Sequence, residues 1–172
     1  MGKIKFQSSL IRRASFDDKE AITTMFNAFI DKQEQILDVH YFGCYGLVPY
    51  KTRSFVCLTD KRIATIQYGP IGQVFYQDAF IEEINSGMVY QPSICYLYIV
   101  SVLLTCTLFG IVLIPTWVRL YYLLNKSGMV WSVREGFSVY AFANRSRLNV
   151  VTTFWRHVAN VRNVRIQFLK KM

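Results

Sequence analysis

The sequence lacks charge over a long interval, because no Asp, Glu, Lys or Arg lies between Glu83 and Arg119. Within this interval residues 94–118 are almost wholly apolar, and the polar side chains deep in the run are small hydroxyls: Ser101, Thr105, Thr107 and Thr116. A hydroxyl can bond to a carbonyl of its own helix, so it is tolerated in lipid. About 20 apolar residues in a helix cross a hydrocarbon core of about 30 Å. The run therefore predicts a membrane protein rather than a buried core helix.

Aromatic side chains stand at both ends of this run, as is typical of rings at a membrane interface. Such rings combine an apolar body with a polar edge, so they mark where a membrane segment meets water. The predicted interfacial residues are Tyr96, Tyr98, Trp117, Tyr121 and Tyr122.

The sequence also lacks the motifs of common catalytic and metal sites. Its cysteines have no C-x-x-C spacing and are predicted to be reduced and structural: Cys44, Cys57, Cys95 and Cys106. The only histidines, His40 and His157, have no carboxylate or cysteine neighbour at metal-ligand spacing. The adjacent Glu82 and Glu83 would point to opposite faces of a strand. We therefore predict a protein that is not an enzyme and holds no metal or cofactor.

Negative charge is nearly missing from the C-terminal part. Up to residue 93 the chain has ten basic and ten acidic residues. From Arg119 onward ten basic residues accompany the single acid Glu135, so the whole net charge of +9 lies there. Basic residues beside a membrane segment mark its cytoplasmic side and attract anionic headgroups. The candidate headgroup-binding residues are Arg119, Lys126, Arg145, Arg147, Arg156, Arg162, Lys170 and Lys171.

Two other interpretations of these charges stay open. They can serve solubility and membrane topology alone. They can also bind nucleic acid, which is the least favoured interpretation because the sequence contains no recognised binding motif.

The N-terminal part of the chain predicts a helix followed by strands. Residues 1–16 form a basic arm, and residues 17–38 have apolar side chains at helical spacing. Ser15 and Asp18 are the candidate capping residues of this amphipathic helix. Residues 39–92 have the pattern of five short strands separated by turns, including a tight hairpin turn at Asp60 and Lys61 between strands at residues 54–59 and 62–68.

The C-terminal part predicts two further strands and a second helix. Residues 93–125 hold the membrane segment, and residues 126–172 contain the strands and an amphipathic helix that begins near Arg145. Asn144 is the candidate cap of that helix. The tail at residues 164–168 alternates in polarity and predicts an edge strand.

This order of about seven strands closed by a C-terminal helix resembles the bacterial pleckstrin-homology-like family of small barrels. The likeness is carried by FVCLTDKRIATI (residues 55–66), FIEEINSG (residues 80–87) and FSVYAFANRSRLNVVTTFWRHVANVR (residues 137–162). It implies an α+β fold, a small barrel or sandwich with amphipathic helices at both ends. The chain departs from the family's pattern because the apolar run interrupts the barrel between its fifth and sixth strands.

Two topologies are open for this interruption. A single span over residues 98–117 fits a bilayer but puts the two parts of one barrel on opposite sides, which leaves sheet edges unpaired. A helical hairpin with arms at residues 94–108 and 111–124, turning near Phe109 and Gly110, keeps both parts on one side. The barrel argument favours an inserted hairpin, transmembrane or re-entrant. The predicted location is a prokaryotic inner membrane, with the barrel and C terminus facing the cytoplasm.

These features predict a membrane-embedded scaffold or assembly protein that self-associates or docks to a membrane complex at an anionic lipid surface. The alternative is an oligomeric pore or membrane-perturbing effector, with Ser101, Thr105 and Thr107 as the only candidate lining residues. The implied partners are anionic lipids and either further copies of the chain or subunits of a complex. Nucleic acid is not an expected partner.

Overall fold

The computed structural model describes residues 5–46, 51–107, 110–134 and 136–171. Short 3-10 turns precede the fifth strand and the last helix, at Ile81–Glu83 and Arg145–Arg147. The elements in chain order are α1 (Ser8–Ala14), α2 (Lys19–Phe26), β1 (Ile36–Tyr45), β2 (Thr52–Thr59), β3 (Arg62–Tyr68), β4 (Val74–Phe80), β5 (Ile84–Tyr90), α3 (Cys95–Thr105), α4 (Gly110–Leu124), β6 (Ser127–Val133), β7 (Ser138–Ala143) and α5 (Leu148–Leu169). The predicted mixed α+β character is confirmed.

The strands form two antiparallel sheets, in the orders β1-β2-β3-β4 and β5-β6-β7. The tight turn between β2 and β3 lies where the sequence predicts it, at Asp60 and Lys61. The hydroxyl of Thr59 stabilises it by accepting from the backbone N–H groups of Lys61 at 3.1 Å and Arg62 at 2.9 Å. A polar side chain therefore satisfies donors that the turn leaves without a strand partner.

Within the described residues the two sheets do not close into a barrel, so the closed barrel of the prediction is wrong. After β4 the chain turns through Ile81–Glu83 and begins a new sheet, in which β5 pairs with β6. The sheets touch where the backbone N–H of Asn144 donates to the carbonyl of Phe42 at 2.9 Å. A second link is the side-chain amide of Gln67, which donates to the carbonyl of Tyr140 at 2.9 Å.

The first sheet is buried on one face by the N-terminal helices. Successive residues of a strand point to opposite faces, so Phe55 and Cys57 of β2, two positions apart, lie on the same side. They pack there with Ile22, Met25 and Phe26 of α2. The apolar side chains that the sequence places at helical spacing in α2 therefore cover this core on the side away from the sheet.

The opposite face of the first sheet packs against the second sheet and α5. Val56 and Leu58 of β2 share this core with Trp131 of β6 and with Phe154 and Val158 of α5. Phe154 and Val158 are four residues apart, which puts them on one face of the helix. Burial on both faces explains why the middle of β2 is a continuous apolar run.

The N-terminal helix is much shorter than predicted. Of residues 17–38 only Lys19–Phe26 form α2, and Asp18 caps it as predicted by accepting from the backbone N–H groups of Glu20 and Ala21. Residues from Ile36 onward form β1, whose backbone groups pair with β2. Ile36 packs against the core beneath α2 whereas Leu37 is exposed, so these two apolar residues of β1 fall at helical spacing without belonging to a helix.

Two smaller predictions for the C-terminal part also fail. Residues 164–168 are the end of α5 and not an edge strand. Five alternating residues are too few to separate a strand from the continuation of a helix. Asn144 precedes the last helical segment as expected, but its side chain accepts from the backbone N–H of Cys44 at 3.1 Å instead of capping the helix.

The apolar run forms two helices, which agrees with the two arms of the predicted hairpin, while Phe109 of its predicted turn lies outside the described residues. The helices α3 and α4 have 11 and 15 residues, which makes them about 16 Å and about 22 Å long against a hydrocarbon core of about 30 Å. In the part of the chain that the structure describes, no helix has the length and apolar character needed to cross a membrane. The predicted transmembrane helix, membrane-embedded protein and inner-membrane location are therefore wrong, and insertion of the hairpin into a membrane is not supported.

Candidate functional site

The helices α3 and α4 form a hairpin, which we call the α3–α4 hairpin, that connects the paired strands β5 and β6 of the second sheet. Its turn is tight at Gly110, whose backbone N–H donates to the carbonyl of Thr107 at 3.0 Å. A Cβ atom at Gly110 would lie 1.7 Å from the carbonyl oxygen of Leu104. A glycine at this position is therefore what allows the two helices to approach each other.

Aromatic side chains hold the sheet-proximal ends of the two helices together. The rings of Tyr96 and Trp117 meet edge to face at 5.8 Å, and the indole N–H of Trp117 points at the carbonyl of Leu97 at 3.5 Å. The hydroxyl of Tyr121 donates to the carbonyl of Ser93. These contacts give the predicted interfacial aromatics a structural role inside the hairpin. Tyr98 is exposed, and the side chain of Tyr122 lies outside the described part.

The outer surface of the α3–α4 hairpin is apolar and uncharged until Arg119. The predicted back-bonding of hydroxyls is confirmed, since Ser101, Thr105 and Thr107 donate to the carbonyls of Leu97, Val102 and Leu104 at 2.7, 2.6 and 3.0 Å. The surface therefore offers few free donors. Its exposed large side chains are Tyr96, Tyr98, Ile99, Val102, Leu103, Ile111, Val112, Leu113 and Leu120.

A cavity of about 1000 Å³ lies at the base of the hairpin, between α4 and the ends of β1 and β7. Four basic side chains line it, from four different parts of the chain: Lys51, Arg119, Lys126 and Arg145. Its described lining contains no Asp or Glu. We call it the basic cavity. The structure thus brings together three of the eight predicted headgroup-binding residues and adds Lys51, which the sequence prediction missed.

Two of the four cations are held in place by neutral neighbours. Arg145 donates from its guanidinium to the carbonyl of Pro92 at 3.0 Å. The ammonium of Lys126 lies over the rings of Tyr45 and Phe142, at 4.9 and 4.8 Å from their centres. Cation–π contacts of this kind orient a charge without neutralising it.

The ion pairs of the described residues include none of these four cations. Arg119 and Lys51 are exposed, whereas Lys126 and Arg145 are half-buried. Like charges that face one cavity raise its electrostatic potential, so the basic cavity is attractive to anions.

The remaining predicted basic residues lie elsewhere. Arg147 forms an ion pair with Asp17 at 2.7 Å and stacks on the ring of Tyr41, so its charge is already compensated. Arg156 is exposed and Arg162 half-buried, both on α5, and Lys170 and Lys171 follow that helix. No single described surface therefore gathers all eight predicted residues.

A cluster of ionisable groups around Asp38 was missed by the sequence prediction. Its carboxylate lies 3.2 Å from Nε2 of His40, 3.4 Å from Nδ1 of His157 and 3.1 Å from Nζ of Lys19. Burial would raise the pKa of Asp38, but hydrogen bonds from His40 and Lys19 outweigh it and hold that pKa well below its usual range. Among the described residues no set of three or more His, Cys, Asp or Glu is placed to bind a metal.

The spacing of Asp38 and His40 in the sequence is sufficient to predict the contact between these two residues. Residues i and i+2 of a strand share one face, so these two side chains must be neighbours once β1 is recognised. The sequence prediction considered carboxylates only at metal-ligand spacing and so missed the contact between Asp38 and His40. The third member, His157, comes from α5 and carries no local signal.

Comparison with known protein families, with curated proteins and with solved structures finds no match to this chain. The apolar surface of the α3–α4 hairpin and the basic cavity are therefore the features that bear on its function.

Proposed function

We propose that this protein is a non-enzymatic scaffold that self-associates through the α3–α4 hairpin. The observation that carries the proposal is the set of exposed large apolar side chains on that hairpin. Val112 is 77% exposed and Tyr98 is 63% exposed. A monomer rarely leaves such a contiguous apolar surface in water, and larger patches mark interaction sites.

The exposed apolar side chains belong to both helices of the hairpin, and the nine large ones are each between 44% and 77% exposed. The fully buried core of an interface between proteins is apolar and poor in charge. The hairpin therefore offers the kind of side chains from which such a core is built.

A second copy of the same hairpin is the occupant that the chemistry favours. The described surface offers no charge before Arg119, so it has nothing with which to select a charged partner. Two hairpins packed together make four helices around a shared apolar core, which is a common and stable arrangement. A two-fold pair also closes the surface on itself.

The resemblance to the bacterial pleckstrin-homology-like family is part of this proposal. It is supported by the order of the elements, in which two antiparallel sheets of four and three strands are followed by one long C-terminal helix. In this interpretation the two sheets form the folded domain of each copy, and the α3–α4 hairpin forms the contact between copies.

A pore is less well supported than a scaffold. It needs helices that cross a membrane, and α3 and α4 are too short for that. It also needs a wet lining, whereas the candidate hydroxyls of Ser101, Thr105 and Thr107 already donate within their own helix.

Sedimentation equilibrium of the full chain over a range of protein concentrations tests self-association. We expect a mass above that of one chain, and Val112→Asp should shift the equilibrium toward the monomer because it puts a charge into the apolar contact. Cys106, which is exposed at the end of α3, gives a second readout. A short bis-maleimide should cross-link it between copies in the wild type and much less in the variant.

Ile71→Asp is the matched control. Ile71 is also 77% exposed, but it lies in the turn between β3 and β4. This variant should associate like the wild type. A wild type that is monomeric throughout, or an equal loss of association in both variants, would exclude the hairpin as the self-association surface.

A further inference from the structure

We propose that the basic cavity binds an organic anion that carries phosphate. The proposal rests on the cavity alone and does not depend on self-association. Its starting point is an imbalance of charge: four cations and no described carboxylate line one space of about 1000 Å³.

Among the described residues four of the eleven arginines pair with acids and seven do not, so what distinguishes Arg119 and Arg145 is that they share one cavity. Arg62 pairs with Glu34 and Asp78, Arg165 pairs with Glu82, and Arg13 pairs with Asp18. The protein thus pairs these guanidinium groups with its own acids. Arg119 and Arg145 have no such partner among the described residues, so their compensation must come from outside the described chain or from solvent.

Phosphate is the anion whose chemistry fits the four cations best. A carboxylate brings one negative charge and would leave most of the positive potential uncompensated. Phosphate brings up to two charges and several acceptor oxygens, and arginine can contact it through two parallel hydrogen bonds. Lysine supplies a compact point charge to the same group.

The size and walls of the cavity indicate that the phosphate belongs to an organic molecule. Ligand pockets commonly occupy about 300–1000 Å³, so an inorganic phosphate alone would fill only a small part of this one. The aromatic ring of Tyr45 and the side chains of Val118 and Leu120 add apolar wall. A ligand with a polar phosphate end and a less polar body satisfies both kinds of lining.

The basic cavity differs from an ordinary solvated basic surface because two of its cationic side chains are already held in position. Arg145 is fixed by the carbonyl of Pro92, and the ammonium of Lys126 lies over the adjacent rings of Tyr45 and Phe142. Side chains that are already ordered lose less entropy on binding, so they contribute more of their interaction to affinity. A surface lysine on a free chain has no such advantage.

Titration calorimetry of the full chain with inorganic pyrophosphate is the primary test. We expect saturable binding at one site per chain, weakened about tenfold by Arg119→Gln and by Lys126→Gln, since each removes one charge-assisted contact. Both side chains lack ion pairs within the described residues, so these variants should fold normally. Affinity should also fall as salt is added.

Arg156→Gln and Lys170→Gln are the matched controls, because they remove the same charges from exposed positions outside the cavity. They should leave pyrophosphate binding unchanged. An equal weakening by the controls would show unspecific attraction to net positive charge and would overturn the proposal.

Two further arms identify the source of the phosphate. One uses glycerol 3-phosphate in solution, and the other uses phosphatidylcholine vesicles with and without phosphatidic acid. Binding in either arm that Arg119→Gln weakens and Arg156→Gln does not supports the site, and assigns it a free ligand or a headgroup respectively. The absence of binding to pyrophosphate, glycerol 3-phosphate and vesicles alike overturns it.

Discussion

His157 on α5 and Asp38 on β1 are 119 residues apart in the chain, and Nδ1 of the histidine lies 3.4 Å from the carboxylate. His40 reaches the same carboxylate from the neighbouring position on β1. Both histidines of the chain therefore meet one acid, at the place where the last helix lies against the first sheet. The contact links the C-terminal helix to the N-terminal strand by a polar interaction as well as by apolar packing.

Asp38→Asn should destabilise the protein at neutral pH and have little effect in acid. The folded state holds the pKa of Asp38 well below its usual range, so the unfolded state binds its proton first as pH falls. The carboxylate thus contributes its full stability above the unfolded pKa of about 3.9, and this contribution is lost as pH falls toward the folded pKa. We expect a loss of about 1–3 kcal/mol at neutral pH, from urea unfolding.

Asp31→Asn is the control for this experiment. Asp31 is exposed, and its carboxylate accepts only a long bond from the backbone N–H of Gln33 at 3.4 Å. We expect its free energy of unfolding to stay within about 0.5 kcal/mol of the wild type. If the free energy of unfolding of Asp38→Asn differed from that of the wild type by the same amount from about pH 7 down to about pH 3, the role given to the carboxylate would be contradicted.

The strands were the part of the fold that the sequence predicted best. Residues 62–68 were predicted as a strand after a tight turn, and β3 has those bounds. The alternation of apolar and polar residues and the residues of the turn are enough to predict β3, because the strand with which it pairs, β2, directly precedes it in the chain. The helix predicted at residues 17–38 ends early because Ile36 begins β1 and pairs with β2, and the adjacent Leu37 is 39% exposed, so these two apolar residues do not extend the buried face of α2.

The membrane prediction failed for a different reason. Hydropathy measures how apolar a segment is and not the length of the helices that it forms. The predicted division of the run near Gly110 leaves helices of 11 and 15 residues, and both are too short to cross a hydrocarbon core of about 30 Å. In the same way, charge counting selected Arg119, Lys126 and Arg145, but only the fold shows that they share a cavity with Lys51.

The four cysteines should differ sharply in reactivity toward an alkylating reagent. Burial raises the pKa of the Cys57 thiol to about 12, and the negative charges of Asp38 and Glu34 add to the shift. Because the thiolate is the reactive form, Cys57 should stay unmodified while the exposed Cys95 and Cys106 react. Peptide mass spectrometry after iodoacetamide treatment of dilute native protein measures the order.

Denatured protein provides the reference for that experiment, since all four thiols should then react at similar rates. Modification of Cys57 in the native protein as fast as that of Cys95 would show that the core between α2 and the first sheet opens readily.

Gly87→Ala should destabilise the fold by about 1–3 kcal/mol, because overpacking forces a bulky neighbour to move. A Cβ atom at this position in β5 would lie 2.0 Å from ring atoms of Trp155 on α5. Thermal and urea unfolding measure the loss. Combining Gly87→Ala with Trp155→Leu should cost less than the sum of the single changes, since the leucine removes the clash.

Gly69→Ala is the comparison for Gly87→Ala. Gly69 lies in the turn between β3 and β4, and the atom nearest to a new Cβ at this position is Cβ of Gln73, at 3.3 Å. The expected effect is smaller than at Gly87. Equal costs at the two positions, or strictly additive costs in the double variant, would mean that the indole does not rest on the glycine.

Gly110→Ala should loosen the α3–α4 hairpin while leaving the two sheets intact. The obstacle to a new Cβ is the carbonyl oxygen of Leu104 at 1.7 Å, and backbone cannot move aside as a flexible side chain can. Neither major core includes residues of α3 or α4, so the hairpin can open as a local unit. Hydrogen exchange should become faster in α3 and α4 and stay unchanged in β2 and β3. Faster exchange throughout the sheets would instead mean that the hairpin and the sheets unfold together, and exchange unchanged everywhere would mean that the turn tolerates the added methyl group.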